Sequence, residues 1–349
     1  MDKRRAGAPR ARDTTENDMT MTKTRRFIGL AMAGIALASA RTAVAGPVEA
    51  GHVAADAKWY VHLDAEAAKQ TVLFKDVLEL VRAKTPLEEQ LDQLKQVIGI
   101  NPLTDIAGIT VYNTSFEQDV LALLIYAKVD QVVLAGLVAQ SPDYKEQAYG
   151  KHKLMTWTDA NDGKHKAGVF YKDGLIVMAN SAETAKGAVD VLDGTKQGNS
   201  ALVQAQPKGN FFSGAATLGL SPDQNVSRLL SNSEAATAAA GEVDGRIRVV
   251  VNLVAKSAED GAQLKTLLEG LKAMAVLGAH QTPTAGKLVQ QVKLSAEGVN
   301  VTGVFEHDSK DAIETLKKLD EENKAKRSKS KGEKAPVDRT KPEPAAGGL

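Results

Sequence analysis

Between residues 120 and 320 the chain twice presents the same succession of signals: strand, helix, hairpin, helix. A recurrence of this kind is the mark of a duplicated supersecondary unit, and it limits the fold more than any single motif does. In the first pass, Val120 to Ala127 is apolar on both faces and reads as a strand. Asp130 then stands where it can cap a helix running to about Gln140, and Ser141-Pro142 ends it. Leu154 to Thr158 is a short strand, and Ala167 to Tyr171 and Leu175 to Ala179 flank the two-residue hairpin signal Asp173-Gly174. Ser181 caps a helix carrying Ala185, Ala188, Val189 and Leu192, with Gly194 just past its end.

The second pass starts at about 246. Ile247 to Ala255 is a Val-rich strand, and Ser257 opens a helix with Leu264, Leu267, Leu268, Leu271 and Met274 on one side. Leu288 to Leu294 and Val299 to Phe305 are strands around Glu297-Gly298, and Ser309 caps a helix with Ile313, Leu316 and Leu319. Ahead of the first pass, Trp59 and Tyr60 belong to a first strand. Thr85-Pro86-Leu87-Glu88 is a capping box for a helix through Leu91, Leu94 and Ile98, closed by Gly99. Ile109 to Tyr112 and Phe211 to Leu218 are further strands, while the Ala-rich run 235–240 reads as helix or loop. Hairpins followed by helices imply an α+β fold: two related halves of antiparallel sheet with helices packed on one face. The expected divisions are 46–205 and 206–322, with Pro207-Lys208-Gly209 as the seam.

Both ends differ from this body in composition. Lys23, Arg25 and Arg26 precede an uncharged apolar run from Phe27 to Ala40, and Ala43-Val44-Ala45 follows. That order is the one a secretory signal peptide has, with cleavage after Ala45 and a mature chain from Gly46. The run is shorter than the roughly 20 residues a spanning helix needs. Arg25-Arg26 leaves both the general secretory and the twin-arginine route open, and starts at Met19 or Met21 would make residues 1–18 untranslated. From 323 to 349 lysines and prolines dominate, and disorder is expected because little apolar surface offsets the entropy of ordering. Such a tail either solubilises the chain or makes a weak contact with an anionic membrane face or envelope polymer.

Charge and composition exclude several functions. Residues 46–320 hold 27 basic against 34 acidic side chains, a balance unsuited to nucleic acid. With no cysteine there is no disulfide, thiolate nucleophile or Cys-ligated metal, and 15 aromatic residues in all are few for stacking platforms. The six histidines, His52, His62, His152, His165, His280 and His307, include no pair three or four apart that would ligate a metal from one helix. Asp159-Ala160-Asn161-Asp162-Gly163 resembles the start of a calcium loop, but its twelfth position is Phe170, so it reads as a hairpin loop. His165, Asp159 and a nearby serine are the material for a triad across a loop, and Trp157 and Tyr149 beside His152 are the material for a pocket. Phosphate loops, dinucleotide glycine patterns and nucleophile elbows are absent from the sequence. Accordingly no catalytic, cofactor-binding or metal-ligating residue is assigned.

Asn101-Pro102 with Asp105-Ile106, Tyr149-Gly150, the stretch from Asp173 to Ser181, and Ala188-Val189-Asp190 with Gly194 resemble a loose class of exported bacterial proteins of unknown function. The resemblance is best over about 56–220 and implies a signal peptide, duplicated α+β units and no established activity. The functional expectation is an exported, non-enzymatic protein, periplasmic or extracellular, acting by binding or structural interaction with an envelope protein or polymer. Capture of a small molecule between sheet and helices is a variant of it. The alternative is a hydrolase-type enzyme with its site between the halves; a histidine against a carboxylate, with a nucleophile in reach, would favour it.

Overall fold

The computed structural model describes residues 46–116, 121–172, 174–205, 207, 209–218 and 231–332. Residues 1–45, where the signal peptide is expected, and residues 333–349 therefore lie outside the described residues. The chain divides into two compact units, Met1–Ala216 and Thr217–Leu349.

In the first unit, β1 (Trp59–Asp64) leads into four helices, α1 (Ala65–Gln70), α2 (Val72–Lys84), α3 (Leu87–Ile98) and α4 (Pro102–Asp105). Then come β2 (Ile106–Asn113), β3 (Leu121–Ala127), α5 (Gln131–Val138), β4 (Lys145–Tyr149), β5 (His152–Thr158), β6 (His165–Lys172), β7 (Leu175–Ala179), α6 (Ala182–Leu192) and β8 (Asn210–Thr217). The strands pair antiparallel in the order β8-β1-β2-β3-β7-β6-β5-β4. Helix α6 lies on β3, β5, β6 and β7. Its Ala185, Ala188 and Val189 meet Leu124, Leu154, Val169 and Val177 in the main core, and each of those side chains is worth roughly 1.5–3 kcal/mol when fully buried. Small residues on α6 let the helix sit close to the sheet. A separate small cluster, Leu91 and Leu103 with Phe74, Leu78 and Leu87, holds α2 to α4 together.

A strap ahead of β1 completes this core through Val48, Val53, Ala54 and Ala57. Ala55 N–H donates to the Gln197 carbonyl (3.0 Å), and Asn199 N–H donates to the Ala50 carbonyl (2.9 Å). Gly198 is required at this crossing, because a Cβ there would collide with the Gly51 carbonyl.

The second unit contains β9 (Ser233–Val243), β10 (Arg246–Ala255), α7 (Ala258–Gly278), α8 (Pro283–Gln291), β11 (Lys293–Glu297), β12 (Asn300–Asp308) and α9 (Ser309–Gly332). Its strands are ordered β9-β10-β12-β11, again antiparallel. The first unit contains the same arrangement in β2-β3-β7-β6. Between the two hairpins of this order the first unit places α5 and the extra strands β4 and β5, the second places α7 and α8, and a helix follows the last strand in each.

Several local expectations change. The Ala-rich run 235–240 is strand, not helix or loop, because β9 pairs along its length with β10. The turn between them, Asp244-Gly245, has φ of 51° and 72°, as a two-residue primed hairpin turn requires. β8 pairs with β1, so it belongs to the first unit and the division falls after Ala216 instead of at 205. Thr85 forms no capping box: its hydroxyl donates back to the Val81 carbonyl (2.9 Å), leaving Pro86 at the N-cap without a side-chain bond. Ser309 does not cap either; Asp308 does, accepting from Lys310 N–H at 3.0 Å. The polar strand β4 was not expected, since its pairing with β5 leaves most of it exposed. Helix α9 continues ten residues past 322, into the segment expected to be disordered, supported by Lys318–Glu314 (2.5 Å) and Lys324–Asp320 (2.6 Å) pairs one turn apart.

Candidate functional site

The clearest concavity of the first unit is a cleft of about 450 Å³ beside α6. One wall is the strap at Ala54 to Asp56, another is the face of α6 from Glu183 to Val191, and the sheet contributes Tyr112 and Ala122, cross-strand partners on β2 and β3. The cleft exists because small residues meet there: Ala54, Ala122, Gly187 and Ala188 leave space that larger side chains would fill. Ser181 fixes the start of α6 by accepting from Thr184 N–H (3.1 Å), which holds Glu183 and Thr184 at the rim. Lys196 comes from the turn after α6, where Gly194 takes φ +75° and Thr195 and Lys196 N–H groups both bond the Asp190 carbonyl (2.9 and 3.0 Å). A Cβ on Gly187 would stand 3.4 Å from the Lys196 ammonium.

Tyr112 gives this cleft chemistry. It is 3% exposed, and among the described residues none hydrogen-bonds its hydroxyl. Burial, and then the nearby Asp56 carboxylate, push its pKa well up, so the phenol remains a neutral donor. Tyr112 lines the cleft, so a ligand seated there can reach it. Tyr126 is the contrast: also buried and pushed up to about 12 by burial, it donates to His52 Nδ1 at 2.9 Å.

The far end of α6 holds the histidine–carboxylate contact on which the enzyme alternative depends. His152 Nε2 donates to Asp193 Oδ2 (2.9 Å) and the ring stacks on Tyr171 at 4.9 Å. The other oxygen, Oδ1, takes the Tyr171 hydroxyl (2.9 Å) and the Lys151 ammonium (3.0 Å). Burial pulls the Asp193 pKa up, but the bonds from Lys151, Tyr171 and His152 outweigh it and leave the carboxyl below its ordinary range. Burial and the Asp193 bond hold the Tyr171 phenol up at about 12. Tyr149 donates to Asp190 at 2.7 Å in the same way. Asp193 thus spends its acceptors on three structural donors, and the group opposite His152 is a phenol that stays protonated, not a serine or threonine.

The other sequence candidates do not converge. His165 Nδ1 contacts Thr158 Oγ1 at 3.3 Å, while Asp159 Oδ1 accepts from the Asn161 N–H (2.8 Å) and side-chain amide (3.0 Å). Asp162 takes Lys164 N–H at 2.9 Å and Gly163 has φ +67°, so 159–163 is a hairpin loop. Trp157 packs over Gly168 and lies apart from the cleft. Among the described residues no group of three or more potential ligands could hold a metal ion.

No protein-family model matches the chain, and no curated protein matches it. Solved structures of TP0453 in its crystal forms III, I and IV match with TM-scores of 0.43, 0.39 and 0.40, at 9%, 9% and 10% identity. They cover 79%, 79% and 82% of this chain and 99%, 98% and 99% of theirs. At that distance the likeness carries no argument about what this chain does.

Proposed function

We propose that this is an exported protein that acts in the periplasm or cell envelope by binding, and that the cleft beside α6 holds a small amphipathic ligand. One observation carries the reading: Tyr112, a residue 3% exposed whose hydroxyl bonds none of the described residues, lines a cleft with the small residues Ala54, Ala122, Gly187 and Ala188 and with Lys196. Ligand sites commonly combine an apolar lining with a few placed polar groups, and a hydroxyl with no protein partner is free to bond a ligand. Support for export is the basic, apolar, small-x-small order of residues 23–45. The body is also anchored from Gly46 onward, where His62 Nε2 donates to the Gly46 carbonyl at 3.2 Å. Cleavage after Ala45 would leave those contacts in place. The matching strand orders of the two units favour their origin by duplication, as the resemblance to exported proteins of duplicated α+β units implies.

Native mass spectrometry of the chain recovered from a periplasmic fraction tests this. The protein should begin at Gly46 and carry a bound small-molecule mass, which Gly187→Leu, by filling the cleft, should remove. A retained leader refutes export; no adduct, or an adduct unchanged in Gly187→Leu, refutes the cleft.

A further inference from the structure

Helix α7 is built unlike the other helices. Its Leu264 and Leu268 join Leu253 and Val301 in the second unit's core. Beyond Gly270 the helix continues as Leu-Lys-Ala-Met-Ala-Val-Leu-Gly, residues 271–278, with Lys272 as its only charge. A helix that is apolar all round is ordinarily buried. Here Met274 is 62% and Leu277 78% exposed, and Leu267, Leu271 and Met274 border a shallow hollow of about 620 Å³. Exposed apolar surface of this extent marks an interaction site more often than a solvated face.

Its neighbour decides what it meets. The turn that ends α7 leads into α8, whose Thr284 donates through N–H (3.1 Å) and hydroxyl (2.6 Å) to the Glu322 carboxylate of α9. The apolar end of α7 therefore lies next to the point from which α9 continues as Lys324, Lys326, Arg327, Lys329 and Lys331, five basic residues with no acid from 324 to 332. Residues 333–349 balance three basic against three acidic side chains, so the positive surplus is confined to that stretch of α9.

We infer that the second unit docks on an anionic lipid surface, with Met274 and Leu277 entering the headgroup boundary and the exposed Lys324 and Lys326 of α9 against the lipid phosphates. Apolar side chains beside a lysine cluster are the chemistry that an anionic membrane face recognises. A second copy fits worse, because a two-fold contact through this patch would bring the two basic stretches together. Residues 46–320 are net acidic, with 34 acidic against 27 basic side chains, so an anionic surface repels the rest of the body and orients the docking. Among the described residues no helix is long and apolar enough to cross a membrane, so α7 lies on the surface. The inference does not depend on the cleft of the first unit.

Co-sedimentation of the chain from Gly46 tests it, using vesicles of phosphatidylcholine alone and with about 30% phosphatidylglycerol at low salt. The protein should bind the anionic vesicles at least about tenfold more tightly than the neutral ones, and lose that affinity as salt rises. Met274→Asp with Leu277→Asp, both at exposed positions, should weaken anionic binding about tenfold or more while the far-ultraviolet circular dichroism is unchanged. Lys324→Gln with Lys326→Gln should weaken binding and flatten its salt dependence. Absence of binding, or anionic binding unaffected by the Asp pair, overturns the proposal. So does a dimer in light scattering that the Asp pair dissolves while vesicle binding is missing, since the patch would then be a self-interface.

Discussion

Replacing Tyr112 and Tyr126 separately by Phe tests whether the cleft has an unmet hydrogen-bonding need. Both phenols sit on the sheet and both are buried, at 3% and 7% exposure. Tyr126 bonds His52 Nδ1 at 2.9 Å and its ring also meets those of His52 and His62, contacts that Tyr112 does not have. Tyr126→Phe leaves that imidazole nitrogen without its donor in a largely desolvated place, which costs about 1–3 kcal/mol. Tyr112→Phe breaks no protein hydrogen bond and relieves the desolvation of a hydroxyl, so stability should lie between unchanged and about 1 kcal/mol higher. Urea unfolding followed by tryptophan fluorescence reads this difference cleanly, because the chain's two tryptophans, Trp59 and Trp157, are both in the first unit. With a slope near 2 kcal/mol per M, Tyr126→Phe should lower the midpoint by about 0.5–1.5 M, and Tyr112→Phe should leave it or raise it slightly. The same Tyr112→Phe protein should lose the mass bound in the native spectrum. If Tyr112→Phe instead destabilised the unit as much as Tyr126→Phe does, the hydroxyl would have a structural partner and the cleft would lose its anchor.

Acid should loosen the strap. The Glu49 carboxylate and Gly46 carbonyl only accept, so His52 and His62 carry their protons on Nε2 and accept from Tyr126 and Thr110 at Nδ1 (2.9 and 2.8 Å). Burial lowers the pKa of both rings; for His52, Glu49 pulls it back and Lys172 lowers it further, and for His62 the Gly46 carbonyl and Asp64 pull it back. The unfolded chain then binds more protons than the folded one, so stability is complete above the ordinary histidine value of about 6.5 and is lost as pH falls through the lowered folded values. The tryptophan-monitored midpoint should drop between pH 7.5 and about pH 5, and drop less in His62→Gln; a flat profile, or one that His62→Gln leaves unaltered, would count against it. Gly198→Ala should cost about 1–3 kcal/mol in the same assay, because the strap must shift from the Gly51 carbonyl. No loss would show that the crossing has slack.

Turns, caps and alternation were legible wherever the local signal and the tertiary demand agreed. Gly99, Gly174, Gly194 and Gly298 all take positive φ where a helix end or hairpin needs it, and Asp130, Ser181 and Ser257 each accept an N–H at a helix start. The reading failed where a neighbour overrode propensity. Alanines 235–240 favour helix alone, yet β10 offers a full ladder, and the better cue was the Asp244-Gly245 turn that follows. The cleft was illegible for another reason. Its walls come from residues 54 to 197, and the small ones among them, Ala54, Ala55, Ala122, Gly187 and Ala188, read as packing until the fold shows the space they leave. Tyr112 looked like any strand aromatic, because a missing hydrogen-bond partner has no sequence signature.

The two units show how one topology acquires two kinds of surface. After the second strand of the shared order, the first unit places α5, eight residues long, and the second places α7, twenty-one residues long. The second unit's core cluster is small, with Leu253, Leu264 and Val301 buried, and it uses α7 only as far as Leu268. The residues beyond Gly270 thus keep the composition of a core helix with no core to cover. In the first unit the closing helix α6, with Ala185, Ala188 and Gly187, lies close on its sheet and leaves a cleft alongside it. A long helix on a small core makes an apolar projection, and a small-residue helix on a large core makes a pocket. Under the two proposals made above, the same strand order serves a surface in the second unit and a small molecule in the first.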